Sequence, residues 1–237
     1  MHLADITGVP QKKSPNNPPV RHLTTSAITA LLAAPDPATR TGLRDQFFMV
    51  LMYDLAARDA EMLALTVGAI DTQRCSAELI GKGSKPRRLP ITTDTAAHFK
   101  RYAKAFHPDM DLGQPLFYTT HDHRKTPMSD DNVARFLRQH ADTARQVCPN
   151  VPRKVHPHML RHSRAMHLYQ AGMPLSILTE WLGHADPETT LVYAHADTEM
   201  KRAALEKATQ DRTISPAPLP IWHDRQDIIQ RLCGLTR

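Results

Sequence analysis

His156-Pro157-His158-Met159-Leu160-Arg161-His162 opens a stretch that runs through Leu182-Gly183-His184 to Tyr193, and its periodicity reads as three short helices. The first spans Leu160 to Gln170 and stops at Gly172, a residue suited to the left-handed turn that closes a helix. Pro174 opens the second, with Leu175, Leu178, Trp181 and Leu182 on its apolar side. Asp186-Pro187 is a cap followed by a first-turn proline, and it starts the third, which leads to Tyr193. The stretch thereby gathers imidazoles, a guanidinium and a phenol at fixed spacings. Such a set can hold an anionic phosphate and attack it without metal.

Upstream the pattern is also mainly helical. Thr24 and Thr25 can cap a helix built on Ile28, Leu31 and Leu32, and a longer one carries Leu43, Phe47, Val50 and Leu51 towards Arg58. A short helix holds Glu61, Met62 and Leu65. Residues 69–91 alternate instead, at Cys75, Ala77 and Leu79, and then at Leu89 and Ile91 beyond Gly81 and Gly83, which reads as strands joined at a glycine turn. Helical spacing returns at Phe99, Tyr102 and Phe106, and again from a Ser129 cap through Val133, Phe136, Leu137 and Ala144. The fold class expected is mainly α with a small antiparallel β-sheet, an α+β domain.

Prolines mark the edges. Residues 1–20 hold Pro10, Lys12, Lys13, Pro15, Pro18 and Pro19 and read as an extended basic linker; residues 21–210 form the folded domain. In residues 211–237 a hinge at Pro216, Pro218 and Pro220 precedes an amphipathic segment with Ile221, Ile228, Ile229 and Leu232 on one side.

Lys and Arg number 30 against 24 acidic residues, a net charge of +6 with a sequence pI near 9.4, which suits a phosphate-bearing partner. Cys75, Cys148 and Cys233 are odd in number and far apart, so neither a disulfide framework nor a CxxC zinc pair is expected, and a reducing cytoplasm is. The longest apolar run, Phe47 to Tyr53, is too short to span a bilayer, so no membrane partner is expected.

His158 and Arg161 stand three apart at a helix start, one face of an end that already favours anions. Lys82 sits in Ile80-Gly-Lys-Gly-Ser-Lys-Pro-Arg-Arg, a basic hairpin tip with Lys85, Arg87 and Arg88 that can enter a DNA groove. It is not a nucleotide-binding loop, because GxxxxGK[ST] needs a helix afterwards and strand-like residues follow. Fourteen histidines raise zinc as a competitor, yet there is no HExxH and no cysteine set beside His158 and His162, so no metal and no cofactor are expected.

Taken together, Ala57-Arg58-Asp-Ala-Glu61, Gly81-Lys82-Gly-Ser-Lys85, His158-Met-Leu-Arg161-His162, Leu182-Gly-His184 and Tyr193 resemble the tyrosine recombinase, or phage integrase, family in order and spacing. The resemblance covers about Leu23 to Lys207 and implies the tyrosine recombinase catalytic-domain fold, with an N-terminal DNA-binding domain ahead of the linker that this sequence lacks. It implies that Arg58 and Arg161 clamp the scissile phosphate and that His184 adds a third hydrogen bond. Lys82 would be the general acid to the departing 5′-hydroxyl, and His158 would assist proton movement at Tyr193, the nucleophile. Glu61 would be a supporting residue, and Lys85, Arg87 and Arg88 would meet double-stranded DNA. The C-terminal segment would pass to a neighbouring protomer, giving a homo-oligomer on DNA. One departure stands out: Ala56-Ala57-Arg58 occupies the place of a usual Gly-x-Arg, and loss of that glycine is expected to tighten or shift the turn.

The function implied is site-specific recombination for a mobile element, through a 3′-phosphotyrosyl intermediate. A type IB topoisomerase-like relaxation uses the same residue types, and an inactive DNA-binding accessory protein is a further alternative.

Overall fold

Thr24 accepts a hydrogen bond from Ala27 N at 3.2 Å and so caps α1 (Thr25–Ala33); Thr39 caps α2 (Arg40–Leu55) through Gly42 N at 3.0 Å. In this computed structural model the described residues are 22–81, 85–121, 124–184 and 188–196, all within the first of the two units into which the chain divides, Met1–Asp197. Helix α2 is the axis of the core: Phe47, Phe48, Met49, Leu51, Met52 and Leu55 are all fully buried. Each such side chain contributes roughly 1.5–3 kcal/mol on burial. A helix enclosed on so many sides also buries its acids, which need partners. Asp45 is held by Arg44 at 2.7 Å and His140 at 3.1 Å, and Asp54 accepts from Thr92 N, Thr92 Oγ1 and Thr95 Oγ1 at 2.6 to 3.0 Å.

After the short α3 (Asp59–Leu63) comes the small antiparallel sheet expected from the alternation; it has three strands, β1 (Ile70–Asp71), β2 (Ser76–Ile80) and β3 (Pro86–Pro90), in that order. Its register pairs Ala77 with Leu89 and Ile80 with Pro86, and just beyond the last pair Gly81 N donates to Lys85 O at 2.9 Å. Helix α4 (Thr93–Phe106) packs on α2, where Phe47 and Tyr102 rings lie 5.0 Å apart. A second hairpin, β4 (Tyr118–His121) with β5 (Arg124–Pro127), was not expected from the sequence. Its strands are four residues long, and the buried apolar residues at its base, Phe117, Tyr118 and Met128, are too few to set a period.

Helix α5 (Asp130–Val147) starts at the Ser129 cap. Helix α6 (Pro157–Gln170) begins with Pro157 at its first position. It ends in a Schellman turn, with Met173 N donating to Leu168 O at 3.0 Å and Gly172 N to Tyr169 O at 2.9 Å around Gly172 at φ 94°. Helix α7 (Leu175–Leu182) closes at Gly183, φ 60°, and α8 (Glu188–Ala196) follows. Ala56, Ala165, Met166, Leu178, Leu182 and Tyr193 form a second apolar cluster, which joins the end of α2 to the last three helices. The site residues sit around that cluster. Among the described residues no helix is long and apolar enough to cross a membrane.

Candidate active site

Ala56 ends α2 in the left-handed region, φ 48° and ψ 36°, and the turn places Arg58 as the residue capping α3. The left-handed turn persists without the usual glycine, at a cost of roughly 1–2 kcal/mol for a residue with a β-carbon. Arg58 then closes on Glu61: its backbone N–H donates to Oε2 and its Nη1 to Oε1, both at 2.8 Å, while Nη2 donates to Gly183 O at 3.2 Å.

Glu61 is 6% exposed, and it also receives Arg87 Nη1 at 2.9 Å and Nη2 at 2.7 Å. Burial works against its charge, but the hydrogen bonds and charges of Arg87 and Arg58 prevail and bring its pKa down to about 2. The Arg87 side chain is only 13% exposed and is turned inward to Glu61. Two glycines give it room: a β-carbon at Gly183 would lie 3.0 Å from Arg87 Nη1, and one at Gly81 would lie 3.1 Å from it. Lys85 is exposed, and Arg88 is exposed and paired with Glu78 at 3.0 Å. Lys82 lies outside the described residues, as do the linker 1–20 and the segment 211–237.

Arg161 is 3% exposed and spans two helix ends, donating from Nη1 to Ala56 O at 2.6 Å and from Nη2 to Leu182 O at 2.7 Å. Both carbonyls belong to chain ends that lack an intrahelical partner and carry partial negative charge. Burial, and then the neighbouring Arg58, lower its pKa to about 10, so it remains a cation at neutral pH. Among the described residues Glu61 is the single carboxylate that pairs with Arg58 and Arg87, while Arg161, near enough to feel its charge, donates to backbone carbonyls. The surplus positive charge calls for an anion.

His184 follows Gly183 and has its Nδ1 2.9 Å from Thr190 Oγ1. Burial, then Arg161 and Arg58, depress its pKa to about 4, so the ring is neutral at pH 7. Tyr193 is 1% exposed, with its hydroxyl 2.7 Å from His162 Nδ1. Burial raises its pKa and Arg161 opposes the rise. His158 is exposed, its ring centroid 6.5 Å from that of His162. The structure thus brings Arg58, Glu61, Arg161, His184 and Tyr193 together but gives the phenol contact to His162, which sequence reasoning quoted without a role. The one signal for it was its helical i, i+4 spacing from His158. Among the described residues no group of three or more His, Cys, Asp or Glu side chains is arranged to hold a metal.

The phage integrase family model matches residues 21–200. The tyrosine recombinase XerD of Neisseria meningitidis is 34% identical over 173 residues, which are 73% of this chain and 57% of that protein. The tyrosine recombinase XerC 2 of Ralstonia nicotianae is 32% identical over 194 residues, 81% of this chain and 54% of its own. The chain thus spans a little over half the length of these relatives. Among solved structures, the XerA recombinase superposes with a TM-score of 0.65 at 23% identity, covering 86% of this chain and 67% of the other. The XerH site-specific recombinase bound to a palindromic difH substrate, in a post-cleavage complex, gives 0.64 at 21% identity over 83% and 55%. At these identities the structural likeness concerns the fold.

Proposed function

The chain belongs to the phage integrase family and has the fold of tyrosine recombinase catalytic domains, and on that premise we propose that it cuts and rejoins double-stranded DNA at specific sites through Tyr193. The observation that carries the reading is the gathering of Arg58 and Arg87 on one carboxylate with Arg161 close by, beside a buried phenol.

Arg58 and Arg161 hold the non-bridging oxygens of the scissile phosphate and offset the charge that builds on the pentacoordinate transition state. Their aim is set before DNA arrives, because their other donors are tied to Gly183 O, Ala56 O and Leu182 O. His184 is the third donor: its Nδ1 lies 2.9 Å from Thr190 Oγ1, and in the tautomer that accepts there its Nε2 carries the ring proton. Tyr193 attacks phosphorus and is left joined to the 3′-phosphate, while Lys82 protonates the departing 5′-oxygen. The phosphotyrosyl link conserves the bond energy, so a second strand can reverse the step. Lys85 and Arg88, exposed at the hairpin, meet the DNA backbone. Residues 211–237 dock on a neighbouring protomer, and the protein works in the cytoplasm for a mobile element; the structural likeness to the Tn1549 transposon integrase, TM-score 0.63, agrees with that role through fold alone.

Tyr193→Phe tests the reading. The variant is expected to bind DNA as the parent does and to form no covalent adduct on nicked duplexes. An adduct with the variant would put the nucleophile elsewhere. A plasmid assay then separates strand exchange, which yields recombinants, from relaxation, which yields only altered linking number.

A further inference from the structure

His162 has no part in the chemistry above, yet its Nδ1 lies 2.7 Å from Tyr193 Oη. It stands one helical turn after His158 on α6, and the two rings share a face, but only His162 is drawn inward to the phenol. At 1% exposure Tyr193 has almost no contact with bulk water, so a protein group is the nearest acceptor for its proton. The group at hydrogen-bond distance is His162.

We propose that His162 is the base that takes the Tyr193 proton during strand cleavage and returns it during rejoining, an inference that rests on Tyr193 being the nucleophile. In cleavage the phenolic O–H bond breaks as an N–H bond forms at Nδ1, and the phenolate oxygen attacks phosphorus. The bond from phosphorus to the 5′-oxygen breaks, its electron pair stays on that oxygen, and the general acid of the site protonates it. In rejoining, the 5′-hydroxyl attacks, gives its proton back to that acid, and the departing phenolate recovers its own from the imidazolium. His158, expected from the sequence to serve the tyrosine, stands one ring further out.

The surroundings favour a base. Burial, then His158, Arg161 and His156, lower the pKa of His162, so the ring is uncharged at neutral pH, and in the tautomer protonated at Nε2 its Nδ1 accepts the phenol's hydrogen bond. The groups facing it are His156, His158 and Arg161 on its own helix, Tyr193 from α8, and His184 beyond α7. Because the phenol is pushed above its ordinary value, little phenolate exists without a base.

The experiment uses the full chain and a pool of nicked duplexes with a randomised core, from which wild-type covalent adducts are captured; the captured duplex then serves for single-turnover cleavage across pH. His162→Asn keeps a hydrogen-bonding amide near the Nδ1 position but takes up no proton, and His162→Gln covers the case in which the first variant does not fold. Either is expected to retain binding by band shift and to cleave about 10²- to 10⁴-fold more slowly. It should also lose the rise in rate that the parent shows as pH climbs through the titration of its imidazole, below 6.5. Cleavage within a few-fold of the parent overturns the proposal. So does a slow variant that keeps the rising limb, which would make His162 a positioning residue, or loss of that limb in His158→Asn instead. An adduct that persists in Tyr193→Phe, or no wild-type adduct at all, overturns the underlying reading of Tyr193 as nucleophile.

Discussion

Arg87 grips both oxygens of Glu61, at 2.9 and 2.7 Å, and so connects the β2–β3 hairpin to the carboxylate that holds Arg58. The pair is buried, and without Arg87 the carboxylate keeps Arg58 alone as its guanidinium partner. Arg87→Ala is expected to cost about 1–3 kcal/mol of stability, the penalty of losing two charge-assisted hydrogen bonds. Arg87→Lys should recover part of that, because an ammonium restores charge but not the two-pronged geometry. Urea unfolding of the three proteins checks both.

The same pair sets an acid limit. The folded-state pKa of Glu61, about 2, lies below its ordinary 4.5, so its stabilising contribution is fully present above pH 4.5 and is lost as pH falls towards 2. Glu61→Gln should flatten that part of the stability–pH curve, measured as Tm between pH 2.5 and 6.

Arg161 joins the ends of α2 and α7 through Ala56 O and Leu182 O. Lysine cannot reach both carbonyls in one plane, and each buried acceptor left unpaired costs about 1–3 kcal/mol. Arg161→Lys is therefore expected to lower Tm as well as cleavage, although the charge is kept. Unchanged stability would mean that the two carbonyls find other donors.

Gly183 combines φ 60° with a 3.0 Å approach to Arg87. Gly183→Ala should cost about 1–2 kcal/mol for the left-handed backbone, and more for the displaced guanidinium. A cleavage defect larger than the stability loss explains is expected, because His184 is the next residue.

Ala56 and Ala57 give a matched pair. Both are fully buried, but only Ala56 has positive φ. In Ala56→Gly, relief of about 1–2 kcal/mol of left-handed strain offsets the lost methyl, about 0.8, and the added chain entropy, about 0.4–1, so the change should be near neutral. Ala57→Gly incurs both losses without relief, about 1–2 kcal/mol. Equal effects at the two positions would contradict the argument.

The sequence by itself determined what is local. Thr24 and Ser129 cap helices, Gly172 and Gly183 end them, and the alternation through Ala77 and Leu79 makes a strand, because each is decided by neighbours within a turn or two. The order of Arg58, Glu61, His158, Arg161, His184 and Tyr193 was legible only through the family resemblance of the motifs that hold them. Tertiary structure alone decided which side chains meet. Arg87 turns inward to Glu61 across 26 residues, His162 rather than His158 reaches Tyr193 across 31, and Arg161 reaches Ala56 across 105. No periodicity encodes such pairings; they follow from how the helices pack around Ala56, Leu182 and Tyr193, and from the need of every buried charge or carbonyl there for a partner.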